Sequence, residues 1–143
     1  MTVSLAQAEA EKTAGGIRKR AMVVDDSRAI RTILAKTLGQ LGWAVAEARN
    51  GREAIEALQA PEASVDPVAL VLVDWNMPEM NGIDFVRQIR LDPRYAGTRL
   101  MMVTTETQIE QMQAALEAGA NEYVMKPFTR EVIEEKLGLL GLR

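Results

Sequence analysis

Histidine and cysteine are both absent from the 143 residues. Without cysteine there is no disulfide framework, no thiolate zinc site and no thiol nucleophile. Without histidine there is no imidazole for a catalytic triad or a transition-metal site, and no phosphohistidine can form on this chain. A basic excess is missing too. Lys+Arg number 17 against 20 Asp+Glu, a net charge of −3, so nucleic-acid binding through phosphate neutralisation is not expected. The longest apolar run, Val68 to Val73, has the length of a strand, far short of the ~20 apolar residues of a membrane span. The amino terminus has no basic head followed by an apolar stretch, so no secretory signal is expected and the cytoplasm is the default location. Whatever chemistry occurs must use carboxylates, lysine, hydroxyls or backbone. Carboxylate-rich sites favour hard ions such as Mg²⁺ or Ca²⁺.

Length and composition, 48% hydrophobic and 26% charged, suit one globular domain able to bury roughly two-thirds of its unfolded surface. Residues 1–17, rich in Ala, Glu and Gln and ending at Gly15-Gly16, are expected to be a flexible extension ahead of a domain over 18–143. From Lys19 onward two periodicities alternate. Ala21 to Val24 is a short apolar run ending in Asp25-Asp26, as expected of a buried parallel strand. Ser27 can cap a helix in which Ile30, Ile33, Leu34, Leu38 and Leu41 recur at helical spacing, with Gly42 as the stop. Trp43 to Glu47 predicts a second strand. Ala54, Ile55 and Leu58 mark a second helix halted by Pro61. Val68 to Val73 is the strongest strand and stops at Asp74. Phe85, Val86 and Ile89 form a third stripe, and Leu100 to Val103 a strand ending at Thr104. Ile109, Met112, Ala115 and Leu116 make a fourth helix closed by Gly119. Tyr123 to Met125 is the last strand, stopped by Lys126-Pro127, and Thr129 caps a helix carrying Val132, Ile133, Leu137 and Leu140.

Five strand–helix repeats argue for a parallel sheet covered on both faces. Ligands of such sheets sit outside the carboxyl ends of the strands. Asp25, Asp26, Asp74, Thr104 and Lys126 all fall at those ends, on four different strands. Singly, each has a plainer reading: a helix start for Asp25-Asp26, a turn former for Asp74, a cap for Thr104 or Thr105, a strand end for Lys126. Jointly they make sense as a phosphoryl-acceptor site. Two carboxylates at ~5 Å repel by roughly 3 kcal/mol at an effective dielectric of 20. Mg²⁺ relieves such repulsion, and prefers one or two carboxylates, waters and a phosphate oxygen. A carboxylate can attack phosphorus to give an aspartyl-phosphate. Lys and a Thr hydroxyl can serve the phosphoryl oxygens.

Asp25-Asp26 after an apolar strand, the run Asp74-Trp75-Asn76-Met77-Pro78-Glu79-Met80-Asn81-Gly82, Thr104 after Met-Met-Val, and Lys126-Pro127-Phe128 together resemble a response-regulator receiver domain. Within that family the resemblance is greatest to single-domain chemotaxis regulators, over about residues 19–142. It implies a flavodoxin-like, doubly wound (βα)5 fold with a five-stranded parallel sheet in the order 2-1-3-4-5. It also implies that Asp74 accepts a phosphoryl group from a sensor histidine kinase. Asp25, Asp26, Asp74 and the backbone carbonyl of Asn76 would hold Mg²⁺. Lys126 and Thr104 would contact the phosphoryl group, with the Lys126–Pro127 bond cis. Thr104 and Tyr123 would form the switch. Asn76 and Glu106 would tune loss of the phosphoryl group. Such a chain is a switch rather than an enzyme in the usual sense, phosphorylating itself from small donors and dephosphorylating itself.

Some positions depart from the family pattern. Asn81 stands where many relatives carry Asp, Thr105 is bulkier than the usual Ala or Gly, and Gln108 and Ile109 replace a basic pair. Tyr123, Lys136, Met112 and Met125 are candidates for a partner surface, against a plain reading of both Met residues as core filler. No output module is expected after the last helix, so the output is expected to be binding of a target protein, with the flagellar motor switch as the candidate. A receiver outside chemotaxis, acting as phosphate sink, adaptor or part of a longer regulator, is the alternative. A phosphatase of the haloacid-dehalogenase type wants a second Asp two residues after its nucleophile, and neither Asp74-Trp75-Asn76 nor Asp25-Asp26-Ser27 supplies one. No phosphate-cradling Gly-rich loop or P-loop is present.

Overall fold

The computed structural model describes residues 19–61, 67–105 and 110–143. The expected amino-terminal extension, Glu106, Gln108 and Ile109 lie outside them. Strands β1 (Arg20–Val24), β2 (Ala44–Ala48), β3 (Leu70–Asp74), β4 (Arg99–Thr104) and β5 (Glu122–Met125) alternate with helices α1 (Arg28–Gln40), α2 (Gly51–Gln59), α3 (Gly82–Arg90), α4 (Met112–Ala118) and α5 (Arg130–Leu139). All pairings are parallel, in the order β2-β1-β3-β4-β5. This is the flavodoxin-like sheet expected from the resemblance.

The strands form where both faces are covered. On one face, Met22, Val24, Val71, Val73, Leu100 and Met102 pack with the inner stripes of α2, α3 and α4. The alternate residues Ala21, Val23, Leu70, Leu72, Met101, Val103 and Val124 pack on the other face with α1 and α5. A period of two thus feeds two cores, so these strands read as continuous apolar runs. Helix starts are set by side chains. Ser27 Oγ accepts from Ile30 N–H, Asn50 Oδ1 from Glu53 N–H, Asn81 Oδ1 from Asp84 N–H and Thr129 Oγ1 from Val132 N–H. Asn81, a departure in sequence, therefore does the work Asp would do, because the two are equivalent as caps. At Gly119, which ends α4, φ is +126° and a Cβ would stand 2.7 Å from Arg90 Cγ. Both facts require glycine there.

Three expected stripe residues face outward instead. Ile33, Leu116 and Val132 are exposed by 50%, 39% and 36%. On α1 the inner stripe is Arg31, Leu34, Ala35 and Leu38. The helix is rotated so that a charged residue takes the place hydropathy assigned to Ile33. Among the described residues, no helix is long and apolar enough to cross a membrane.

Candidate functional site

The carboxyl ends of β1, β3 and β5 deliver the site. Asp25 follows β1, Asp74 is the last residue of β3, and Lys126 follows β5. One carboxylate oxygen from each of Asp25, Asp26 and Asp74 lies within 4.8 Å of the others. Asp25 and Asp74 are 1% and 6% exposed, while Asp26 faces solvent. Lys126 Nζ donates to Asp74 Oδ1 at 3.1 Å and stands 3.5 Å from Asp25 Oδ2. The Lys126–Pro127 peptide bond is cis, as the resemblance implied.

Burial sets the electrostatics. It pushes the Asp25 carboxyl above its ordinary range, against the Ser27 N–H and the Lys126 charge, which pull it down. Burial also raises Asp74, and the neighbouring Asp25 charge raises it further, with Lys126 opposing. Burial alone would lower Lys126, but its hydrogen bond to Asp74 and the charges of Asp74 and Asp25 outweigh this and raise it. The cluster is therefore short of positive charge, with one ammonium among three carboxylates.

The donor set fits a hard divalent cation. Asp25 Oδ1 accepts from Ser27 N–H at 2.8 Å, whereas Asp25 Oδ2 is buried without a hydrogen bond and has the Lys126 ammonium, shared with Asp74, at 3.5 Å. A buried carboxylate oxygen left this way is costly unless something charged completes it. Carboxylate oxygens beside a solvent-facing third carboxylate suit Mg²⁺, which retains several waters.

The loop after Asp74 is held by backbone. Trp75 N–H donates to Val103 O at 2.9 Å, and Gly82 N–H returns to Trp75 O at 3.0 Å. A Cβ on Gly82 would meet Met102 Cε at 2.5 Å, Asp74 O at 3.2 Å and Trp75 Cα at 3.3 Å, so only glycine lets α3 start this close to β3. Asn76 is exposed within the loop.

Thr104 is fully buried at the end of β4. Its hydroxyl donates to the Thr105 carbonyl at 3.3 Å, and its own carbonyl accepts Lys126 N–H at 2.7 Å. Tyr123 lies half-buried on the edge strand β5, where Lys136 Nζ stands 4.6 Å from its ring centre. Lys136 also pairs with Glu122 at 3.0 Å, closing over the strand edge. Met125 is half-buried beside the site.

Met112 is a correction to the expected partner surface. It is 4% exposed and belongs to the core beneath α4, because the first inward position of that helix points at the sheet. The residue that hydropathy missed is Arg31, 9% exposed, whose Nη1 donates to the Asp25 carbonyl at 2.7 Å. Its spacing of three, four and seven from Leu34, Ala35 and Leu38 was the available signal.

Comparison with known proteins followed the same lines. The family model for the response regulator receiver domain matches residues 21–138. The chain is 46% identical over 117 residues to chemotaxis protein CheY1 of Helicobacter pylori, covering 81% of this chain and 91% of that protein. It is 44% identical over 117 residues to the chemotaxis protein CheY homolog of Campylobacter jejuni, covering 81% and 87%. Among solved structures, chemotaxis response regulator CheY4 of Vibrio cholerae superposes with a TM-score of 0.76 at 34% identity, covering 86% of this chain and 98% of that one.

Proposed function

The chain belongs to the response regulator receiver domain family, and from that premise we propose that it is a phosphorylation-driven chemotaxis switch whose acceptor is Asp74. As a CheY-like receiver it implies a histidine kinase donor and a downstream target. The observation that carries the assignment is the buried Asp74 carboxylate, hydrogen-bonded to Lys126 and grouped with Asp25 and Asp26 at one edge of the sheet.

A carboxylate oxygen of Asp74 attacks phosphorus, the phosphorus–nitrogen bond of the donor's phosphohistidine breaks, and its electron pair leaves with the imidazole. Asp25, Asp26, Asp74 and the Asn76 carbonyl would hold Mg²⁺, which when bound supplies positive charge to the phosphoryl oxygens. Lys126 exchanges part of its contact with Asp74 for a phosphoryl oxygen, and the Thr104 hydroxyl leaves the Thr105 carbonyl for another. That movement frees space for the Tyr123 ring, linking the acceptor to the β5 edge. Asn76 and Glu106 govern how quickly water removes the group.

Tyr123, Met125 and Lys136 offer the target-binding face, and the half-buried Tyr123–Lys136 pair supports it. The reading takes a CheA-like kinase as donor, the flagellar motor switch as target and a cytoplasmic location, and the chemotaxis names of the relatives support it. The test is labelling with acetyl phosphate in Mg²⁺. The wild type takes up one phosphoryl group, and Asp74→Asn takes up none. Undiminished labelling of that variant would move the acceptor elsewhere. A pull-down with and without beryllofluoride then separates the pathways. Recovery of a flagellar switch protein supports chemotaxis, and recovery of a kinase alone supports a phosphate sink or adaptor.

A further inference from the structure

Behind the carboxylates lies a buried positive charge that the phosphoryl chemistry does not use. Arg31, on the inner stripe of α1, donates from Nη1 to the Asp25 carbonyl at 2.7 Å. Its Nε stands 3.5 Å from Glu47 Oε1 on β2, with the two side chains only 11% and 15% exposed. The loop is tied to β2 again where Asp25 N–H donates to Ala48 O at 3.1 Å. Asp25 is thus held on its N–H by Ala48, on its carbonyl by Arg31 and on Oδ1 by the Ser27 N–H. Oδ2 makes no hydrogen bond and stands 3.5 Å from the Lys126 ammonium.

We propose that Arg31 is a positioning residue for the cation: clamped by Glu47, its guanidinium fixes the Asp25 main chain so that Oδ2 is presented to bound Mg²⁺. The inference rests on the Mg²⁺ assignment of the site. Its logic is that of an outer partner orienting a metal ligand. The planar fork of Arg can serve a carbonyl and a carboxylate together, whereas one Lys ammonium serves them poorly. Charge alone predicts the opposite sign. A cation beside the cluster repels Mg²⁺, so deleting it would tighten binding, whereas loss of positioning weakens binding. A merely structural pair would cost stability and leave affinity unchanged.

The experiment is a calorimetric Mg²⁺ titration of the full chain as wild type, Arg31→Met, Arg31→Lys and Leu34→Ala, the last a core control on the same stripe. Arg31→Met is expected to raise Kd about tenfold, Arg31→Lys by several-fold, and Leu34→Ala not at all. An unchanged or lowered Kd in Arg31→Met, or an equal rise in Leu34→Ala, overturns the proposal. Should Arg31→Met fail to fold, Arg31→Lys decides, and an unchanged Kd there overturns it. A wild type that binds no Mg²⁺ removes the metal site and this inference together. Wild-type binding with unaltered Arg31 variants removes the inference alone.

Discussion

Lys126 Nζ lies 3.1 Å from Asp74 Oδ1, although the two residues are 52 positions apart and stand at the ends of strands that are not neighbours in the sheet. β4 runs between β3 and β5. The lysine crosses over the end of β4 to reach Asp74. The same ammonium also stands 3.5 Å from Asp25, so it is an internal counter-ion for two buried carboxylates. Without metal, one positive charge serves three negative ones, and that imbalance makes the site measurable from outside.

Asp25→Asn should make the metal-free protein more stable and the Mg²⁺-loaded protein less so. The amide keeps an oxygen for the Ser27 N–H and removes a buried charge whose carboxyl is raised chiefly by burial. The expected result in EDTA is a higher urea midpoint for the variant than for wild type. Wild type should gain about 2.7 kcal/mol at a Mg²⁺ concentration a hundredfold above Kd, and the variant much less. Urea melts in EDTA and in Mg²⁺ check both; a variant less stable in EDTA would refute the argument.

The pH dependence follows from the same groups. Asp25 and Asp74 are raised above 3.8 on folding, so the folded chain holds these protons more tightly than the unfolded chain. Their ionisation therefore costs stability at neutral pH. That cost is relieved as pH falls through the folded values toward 3.8. Lys126 is raised from 10.5, so its contribution is complete below that pH and fades only as pH rises through its folded value. The stability difference between wild type and Asp25→Asn in EDTA should accordingly shrink between pH 7 and pH 4. A difference that widens on acidification would contradict the assignment.

Gly82→Ala should be expensive for a methyl group. The added Cβ meets backbone on one side and Met102 on the other, and overpacking of this kind costs about 1–3 kcal/mol. Because Gly82 N–H closes the loop onto Trp75 O, labelling by acetyl phosphate should slow as well. Thermal melts and labelling rates on one preparation test both; wild-type values for each would show that the loop yields freely.

Mg²⁺ should change the fluorescence of Trp75, which is 7% exposed and adjoins Asp74. The other tryptophan, Trp43, is buried in the opposite core, so the change should persist in Trp43→Phe. A signal that vanishes with Trp43 would place the response elsewhere.

Hydropathy located strands more securely than helix faces. Val68 to Val73 announces a strand, observed as Leu70–Asp74, because a parallel strand buried on both sides must be apolar throughout. Helix stripes are less decisive. A helix can rotate by one position with little loss of periodicity, which is how Ile33 and Val132 face solvent, whereas Met112, on the stripe hydropathy marked, does turn inward beneath α4. Arg31 shared the spacing of the inner stripe, but its partners did not show in the sequence, since a charge there is stabilised only through Asp25 and Glu47, neither of them its neighbour in sequence.

By itself, the sequence determined which chemistry was open to this chain. Without histidine or cysteine it had carboxylates, lysine and hydroxyls, and the order of its strands and turns put Asp25, Asp26, Asp74, Thr104 and Lys126 at strand ends. Tertiary structure decided which of these meet and which way the protonation of Asp25, Asp74 and Lys126 is shifted. Distances between strand ends depend on sheet order, and the protonation of a carboxyl depends on its burial and on the charges around it. Neither quantity exists until the strands are side by side.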